Sequence, residues 1–132
     1  MTVNEAYKIA LSLDDTTTEQ DDSLRVHMVN YTNLFLIETF RNENAIRQMN
    51  HRPLLKAVPY VYNVTDSIPY DEELVRSALA FFIASQVAKA DADNAWASRY
   101  YDMYINAVNA VTPFLDEPNF DVWGKGNVGE RL

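Results

Sequence analysis

Three glycines near the C-terminus have the spacing of a dinucleotide-binding motif. Gly124, Gly126 and Gly129 match G-x-G-x-x-G. That motif holds a pyrophosphate only where a strand precedes the glycines and a helix follows them, because backbone amides and the helix N-terminus must face the phosphates. The sequence ends three residues after Gly129. We therefore expect no cofactor at these glycines.

The histidines and carboxylates also lack the spacing of a metal or catalytic site. His27 and His51 are far apart, and neither has a partner at metal-ligand spacing. The chain contains no cysteine, which excludes disulfides and thiolate ligands. Capping and solvation explain the paired acids, because they lie where helices are predicted to start or stop. These pairs are Asp14/Asp15, Asp21/Asp22 and Asp91/Asp93. We expect no metal and no enzymatic activity.

Aromatic side chains recur at helical spacing near the end of the chain. Trp96, Tyr100 and Tyr104 share one face of a predicted helix. Such a stripe stacks nucleic-acid bases where basic residues are interleaved with it. Here only Arg99 is basic, and acids flank the stripe. We therefore interpret it as packing in the core or at a subunit interface.

Helical periodicity predicts two helices in the first third of the chain. The first spans about residues 3–13, where Thr2 and Glu5 have the spacing of a capping box. An acidic, threonine-rich turn over residues 14–22 follows. The second helix should extend through residues 24–40, and the polar stretch after it is able to continue it for a turn or two.

A helical hairpin over residues 68–111 is the clearest prediction. Pro69 and the acids after it suit the N-terminus of helix three, and Asp91 and Asp93 offer side-chain caps for helix four. Upstream of the hairpin, the prolines exclude a continuous helix. There, residues 58–64 have the β-branched and aromatic composition of a short strand or an extended arm.

The composition is that of one globular domain. Of 132 residues 48% are apolar, and the three glycines all fall in the last nine positions, which disfavours a hairpin-rich β fold. No apolar run approaches the roughly 20 residues of a membrane span, and the N-terminus lacks a signal peptide's features, so cytoplasmic synthesis is expected. We predict an all-α, four-helix bundle-like domain over residues 1–112. It would have a proline-containing extended arm at 41–68, between helices two and three, and an extended tail at 113–132.

The charge is unevenly distributed along the chain. The net charge of −8 argues against a protein that coats DNA. From Arg41 to Tyr62, however, four basic residues stand against one acid. This segment is either a solvated loop or a basic arm that meets an acidic partner or DNA. The basic residues of the arm are Arg41, Arg47, Arg52 and Lys56.

The third helix is apolar around almost its whole circumference. Its polar members between Leu74 and Ala90 are Arg76, Ser77, Ser85, Gln86 and Lys89. A helix that is apolar on all sides must be buried on all sides, which is difficult in a four-helix subunit. Leaving Phe81 or Phe82 in water would forfeit about 1.5–3 kcal/mol each. We expect neighbouring subunits to cover this helix; the alternative is that the chain encloses it alone.

This layout resembles the tailed-bacteriophage head–tail connector family, also called adaptor or head-completion proteins. The shared features are a short first helix, an acidic turn, a long second helix, a proline-containing arm and an aromatic, acid-rich last helix before an extended tail. The closest local matches are the segments SIPYDEEL and YYDMYINAV, and the resemblance covers about residues 2–120.

The resemblance implies a non-enzymatic virion protein at the head–tail junction, made in the bacterial cytoplasm. It would form a ring, usually twelvefold, beneath the portal, receive the next neck or tail protein on its opposite face, and let double-stranded DNA pass. The portal-binding residues would be Phe114, Phe120, Trp123, Lys125 and Arg131. The subunit interface would use Phe81, Phe82, Trp96, Tyr100 and Tyr104. A function of another class stays open: an acidic helical module that sequesters a basic partner, as a DNA mimic or a neutralising subunit does.

Overall fold

The all-α class is confirmed by a computed structural model, which describes residues 1–13 and 25–114. The helices are α1 (Val3–Leu13), α2 (Met28–Glu38), α3 (Phe40–Met49), α4 (Glu72–Leu74), α5 (Ala80–Ala90) and α6 (Asn94–Val111). A 3₁₀ turn at Arg25–His27 leads into α2, and a π-helical turn at Val75–Leu79 joins α4 to α5. Together α4, the π-helical turn and α5 form one continuous helical segment, residues 72–90, which we call the central rod.

The predicted N-terminal caps are present. The Glu5 carboxylate accepts from the Thr2 amide at 2.9 Å, and the Thr2 hydroxyl accepts from the Glu5 amide at 3.2 Å, which is a capping box. Asp93 caps α6 by accepting from the Trp96 amide. These side chains satisfy backbone donors that the first helical turn leaves without partners.

The long second helix is divided in two at Thr39. The Thr39 hydroxyl donates to the Phe35 carbonyl at 2.7 Å, and the backbone at Thr39 leaves the helical region. A hydroxyl bonded back to the preceding turn competes with the backbone and bends helices. The chain then re-enters a helix as α3, so the predicted arm at 41–68 is wrong over its first nine residues, 41–49, which are helical.

Both helix ends that require a left-handed residue lack glycine. His51, after α3, has φ 57°, and Ala92, between α5 and α6, has φ 62°. In each case the backbone amide of the next residue donates to the carbonyl five positions before it. The Arg52 amide donates to the Arg47 carbonyl, and the Asp93 amide donates to the Ala88 carbonyl. This is the Schellman arrangement, which usually places glycine at the left-handed position.

The segment between α3 and the central rod has turns at residues 50–51 and 63–66 and a bend at 56–57, and it forms no strand in the described residues. Instead of the strand considered for residues 58–64, there is an isolated antiparallel bridge between Thr2 and Ser67. The Val3 and Asn4 amides donate to carbonyls at Asp66 and Val64, so the end of this segment is fixed to the start of α1. We call residues 50–67 the arm.

The central rod is enclosed by its own chain. The helices α1, α2 and α6 all pack against it. Its residues Leu74, Leu79, Ile83 and Ala84 have no measurable exposure, and Phe82 is 1% exposed. The expectation that neighbouring subunits must cover this helix is therefore wrong: three helices on different sides leave little of its apolar surface to solvent.

Candidate functional site

Two asparagines hold the arm along α2 and α3. The Asn44 side chain accepts from the Leu55 amide at 2.8 Å and donates to the Leu55 carbonyl at 3.1 Å. Asn33 binds Val61 in the same way, at 2.9 and 3.1 Å. Each asparagine side chain thus bonds both the N–H and the C=O of one arm residue, the two backbone groups that a neighbouring strand would otherwise satisfy. This explains how these parts of the arm are held in place without a sheet.

A buried ion pair fixes the start of the arm. Glu43 has no exposure, and it accepts from Arg47 Nε at 2.6 Å and from the Asp71 amide at 2.8 Å. The Arg47 guanidinium also donates to the carbonyls of Pro53 and Pro69, at 3.3 and 3.4 Å. One carboxylate and one guanidinium therefore tie α3, the arm and the N-terminus of the central rod together.

The ion pair also affects a buried tyrosine. Burial raises the pKa of Tyr70 well above its ordinary value, and the negative charge of Glu43 raises it further, while Arg47 lowers it. The Tyr70 hydroxyl donates to the Leu36 carbonyl at 2.6 Å. A neutral hydroxyl is required for this bond, so the surroundings and the hydrogen bond favour the same protonation state.

The four predicted basic residues of the arm segment have different roles. Arg47 is occupied by Glu43, and Arg52 lies 4.0 Å from the Asp71 carboxylate while remaining about half exposed. Arg41 and Lys56 are exposed. The cations offered to a partner are therefore Arg52, Lys56 and Arg41.

Large apolar side chains of the arm point into solvent. Tyr60 is 64% exposed and Tyr62 is 78% exposed, whereas Val61 between them is buried. This alternation is expected of an extended backbone whose successive side chains point to opposite sides. We define the arm surface as the exposed apolar and basic side chains of the arm together with Met49 at the end of α3. Its residues are Met49, Arg52, Leu54, Lys56, Tyr60 and Tyr62.

The predicted interface residues separate into two groups. Phe82, Tyr100 and Tyr104 are buried in the chain's own core, so their assignment to a subunit interface is corrected. The Phe82 and Tyr104 rings lie 5.0 Å apart, and the Tyr100 hydroxyl donates to the Leu13 carbonyl. Phe81 is only partly buried and Trp96 is exposed. These two residues remain available to another molecule.

A polar groove of about 600 Å³ lies between α2, α5 and α6. Glu38 stands at its wall and accepts from the Tyr104 hydroxyl at 2.9 Å. Burial raises the pKa of Tyr104, and the bond to Glu38 raises it further; Tyr101 is affected in the same direction by burial and Glu38. The other lining residues are Ser85, Gln86, Lys89, Asn94, Ala97, Ser98, Tyr101 and Asp102.

The C-terminal tail begins beside the arm. Phe114, three residues after the end of α6, is 90% exposed. Pro113 lines a cleft of about 200 Å³ together with Met49 and Asn50, the residues from which the arm starts. The other predicted portal-binding residues, Phe120, Trp123, Lys125 and Arg131, lie outside the described residues, as do the three glycines and the acidic turn at 14–22.

The histidines make no metal-like constellation. The rings of His27 and Tyr31 are 6.1 Å apart, and His51 forms the left-handed end of α3. Across residues 1–13 and 25–114, no three His, Asp or Glu side chains converge on a point where an ion could be held.

Sequence reasoning missed Asn33, Asn44 and Glu43. Part of the signal for the asparagines was present, because eleven residues are close to three turns of an uninterrupted helix. The break at Thr39, which the spacing does not reveal, separates the two asparagines onto different helices. Glu43 and Arg47 have i, i+4 spacing, which is usually read as an exposed pair. Nothing in that spacing distinguishes a buried pair from a solvated one.

Comparisons with known proteins give no relative. No family model matches the chain, and no similar curated protein or solved structure is found. In the part of the chain that the structure describes, no helix is both long and apolar enough to cross a membrane.

Proposed function

We propose that the chain is a structural, non-enzymatic virion protein that forms a ring at the capsid vertex and joins the portal to the neck or tail. The proposal rests on the resemblance of layout described above. Among the described residues it is carried by one observation: an arm that is held in place by two asparagine clamps and a buried ion pair, yet leaves large apolar side chains uncovered.

Such an arrangement supports docking. Ordering a segment on binding costs conformational entropy, and a segment that is already fixed has met that cost beforehand. Tyrosine and arginine are enriched among the residues that dominate binding energies. The arm surface offers Tyr60, Tyr62 and Arg52 in one pre-arranged segment, which fits a protein whose role is to join others.

The lateral contacts of the proposed ring must differ from those first expected. Because Phe82, Tyr100 and Tyr104 are in the core, copies would meet through the exposed flank of α6. There Trp96 packs on Arg99, whose guanidinium carbon lies 4.9 Å from the ring centre. Met103 is exposed one turn farther along.

The distribution of charge weighs against the acidic binding module. Residues 1–13 and 25–114 carry ten acidic and nine basic residues, so the helical body is nearly neutral. Five of the nineteen acids lie in the turn at 14–22, which has no basic residue. A DNA mimic needs an extended acidic face to compete for a basic partner. A nearly neutral body suits a ring that DNA passes without lasting contact.

Electron microscopy of the chain mixed with the presumed portal tests this function. We expect a ring of about twelve copies stacked on the portal for the full chain. Deletion of residues 118–132 should abolish attachment while the helical circular dichroism stays unchanged. A matched control is the K8E/K89E variant, which alters charge away from the tail and should still attach. Attachment that survives the deletion would contradict the tail's role, and a monomer or simple dimer with portal present would contradict the ring.

A further inference from the structure

The arm surface has a composition that an acidic, aromatic peptide would complement. From residue 44 to residue 65 the sequence has no acid. Lys56 forms no ion pair within the residues that the structure describes, and Arg52 has only a loose contact with Asp71. The same segment leaves Leu54, Tyr60 and Tyr62 uncovered.

The chain itself contains a peptide of that composition. Residues 114–123 read FLDEPNFDVW, with three acids and no base. The same ten residues include Phe114, Phe120 and Trp123. In this segment the acids Asp116, Glu117 and Asp121 are interspersed with aromatic residues, and in the arm Arg52 and Lys56 are interspersed with apolar ones.

The exit point of the tail brings the two together. Pro113 lies in the cleft beside Met49 and Asn50, where the arm begins. Ten extended residues span at most about 33 Å. The arm from residue 52 to residue 62 is no longer than that, because it has the same number of steps and bends at Lys56 and Ala57. Asp71 and Glu73 line the cleft at the exit, so the tail's acids are repelled there and meet cations only along the arm.

We propose that the arm surface is a docking site whose occupant is residues 114–123 of the same chain. In the isolated protein the tail covers Met49, Leu54 and the two tyrosines, and its acids lie near Arg52 and Lys56. A binding partner of the tail would have to displace it from the arm, and displacement would uncover the arm surface at the same moment. This proposal concerns the isolated chain and holds whichever assembly the protein joins.

Trp123 supplies the test, because Trp96 is the only other tryptophan. In the full-length W96F variant, fluorescence and its quenching by iodide and acrylamide report on Trp123 alone. We expect blue-shifted emission and protection from both quenchers that do not change with protein concentration. R52E/K56E in the same background should lower the ratio of docked to undocked tails about fivefold, since two exposed ion pairs are lost and replaced by repulsion.

The control variant K8E/K89E makes the same change in net charge at exposed lysines outside the arm and should leave Trp123 protected. Raising salt should weaken docking of the unaltered arm and strengthen it in R52E/K56E, where charges repel. The proposal is overturned if Trp123 is already solvent-exposed in W96F, or if R52E/K56E leaves it as protected as before. It is also overturned if protection rises with concentration, because the tail would then dock on a second copy. None of these outcomes involves the portal, so failure here is distinct from failure of the proposed function.

Discussion

Replacing Arg47 by alanine should destabilise the protein far more than replacing Arg76. Both arginines lie four residues after a glutamate, and both Nε atoms are close to it, at 2.6 Å from Glu43 and 2.7 Å from Glu72. The pairs differ in burial: Glu43 has no exposure and Arg47 is 13% exposed, whereas Arg76 is 67% exposed. Removing one partner of a buried pair leaves an uncompensated charge and costs about 3–5 kcal/mol.

The loss at Arg47 should be near the upper end of that range. Arg47 also donates to two carbonyls, at Pro53 and Pro69, and Glu43 would keep only the Asp71 amide as a donor. For a domain with a stability of about 5–15 kcal/mol this is a large fraction, so a milder variant is needed in case R47A does not fold. R47K retains the positive charge but not the planar guanidinium with its several donors. It should therefore lose part of the unfolding free energy that R47A loses.

Urea unfolding followed by circular dichroism measures these differences. We expect the midpoint for R47A to fall sharply, that for R47K to fall less, and that for R76A to show no resolvable change, because water screens and solvates the exposed pair. The double variant E43A/R47A should lose less than the sum of the single losses, since neither charge is then left alone. If R47A and R76A shifted the midpoint equally, burial would not be what separates the two pairs.

Four further changes follow from the described contacts. Phe82→Ala should lower the unfolding free energy by about 3–5 kcal/mol, since it empties space among buried aromatic rings, and a loss below 1 kcal/mol in urea would place Phe82 outside the core. Asn44→Ala should cost about 1–3 kcal/mol and speed trypsin cleavage in the arm, whereas the exposed Gln48→Ala should do neither; equal cleavage rates would refute the clamp. Ala92→Gly should raise the thermal midpoint, because glycine adopts φ 62° without steric cost; a lowered midpoint would show that Ala92 is not strained. Since the pKa of Tyr104 is raised in the folded state, its contribution is complete below about pH 10 and is lost as pH rises further, so Tyr104→Phe should flatten the alkaline loss of stability; an unchanged pH profile would contradict this.

Local signals in the sequence predicted much of the helical structure. The capping box at Thr2 and the cap at Asp93 were recognisable because they depend on residues three positions apart. The hairpin of the central rod and α6 was predicted from its acids and apolar spacing. The break at Thr39 was not, because a threonine inside a helix bends it only when its hydroxyl bonds to the preceding turn, and composition does not reveal that.

The arm shows why contacts between residues far apart in sequence cannot be predicted from local composition. Residues 58–64 have a strand-like composition, but Val61 is bonded by the side chain of Asn33 on a helix, and the Tyr62 and Asn63 amides donate to the carboxylate of Asp66. Composition reports that a segment favours extension; it does not report what will satisfy its amides. The same limit applies to Glu43, whose burial depends on Asp71, 28 positions away.

Because the central rod is enclosed, any assembly of copies must use other surfaces. An all-round apolar helix must be covered, and α1, α2 and α6 meet that need within one chain. The core therefore gives no reason for copies to associate. Large apolar side chains that stay exposed among the described residues include Leu34 and Ile37 on α2, Trp96 and Met103 on α6, and Tyr60 and Tyr62 on the arm surface. If the protein assembles, exposed side chains such as these would make the contacts, and substitutions there should alter assembly while leaving the unfolding free energy nearly unchanged, the reverse of what Phe82→Ala should do.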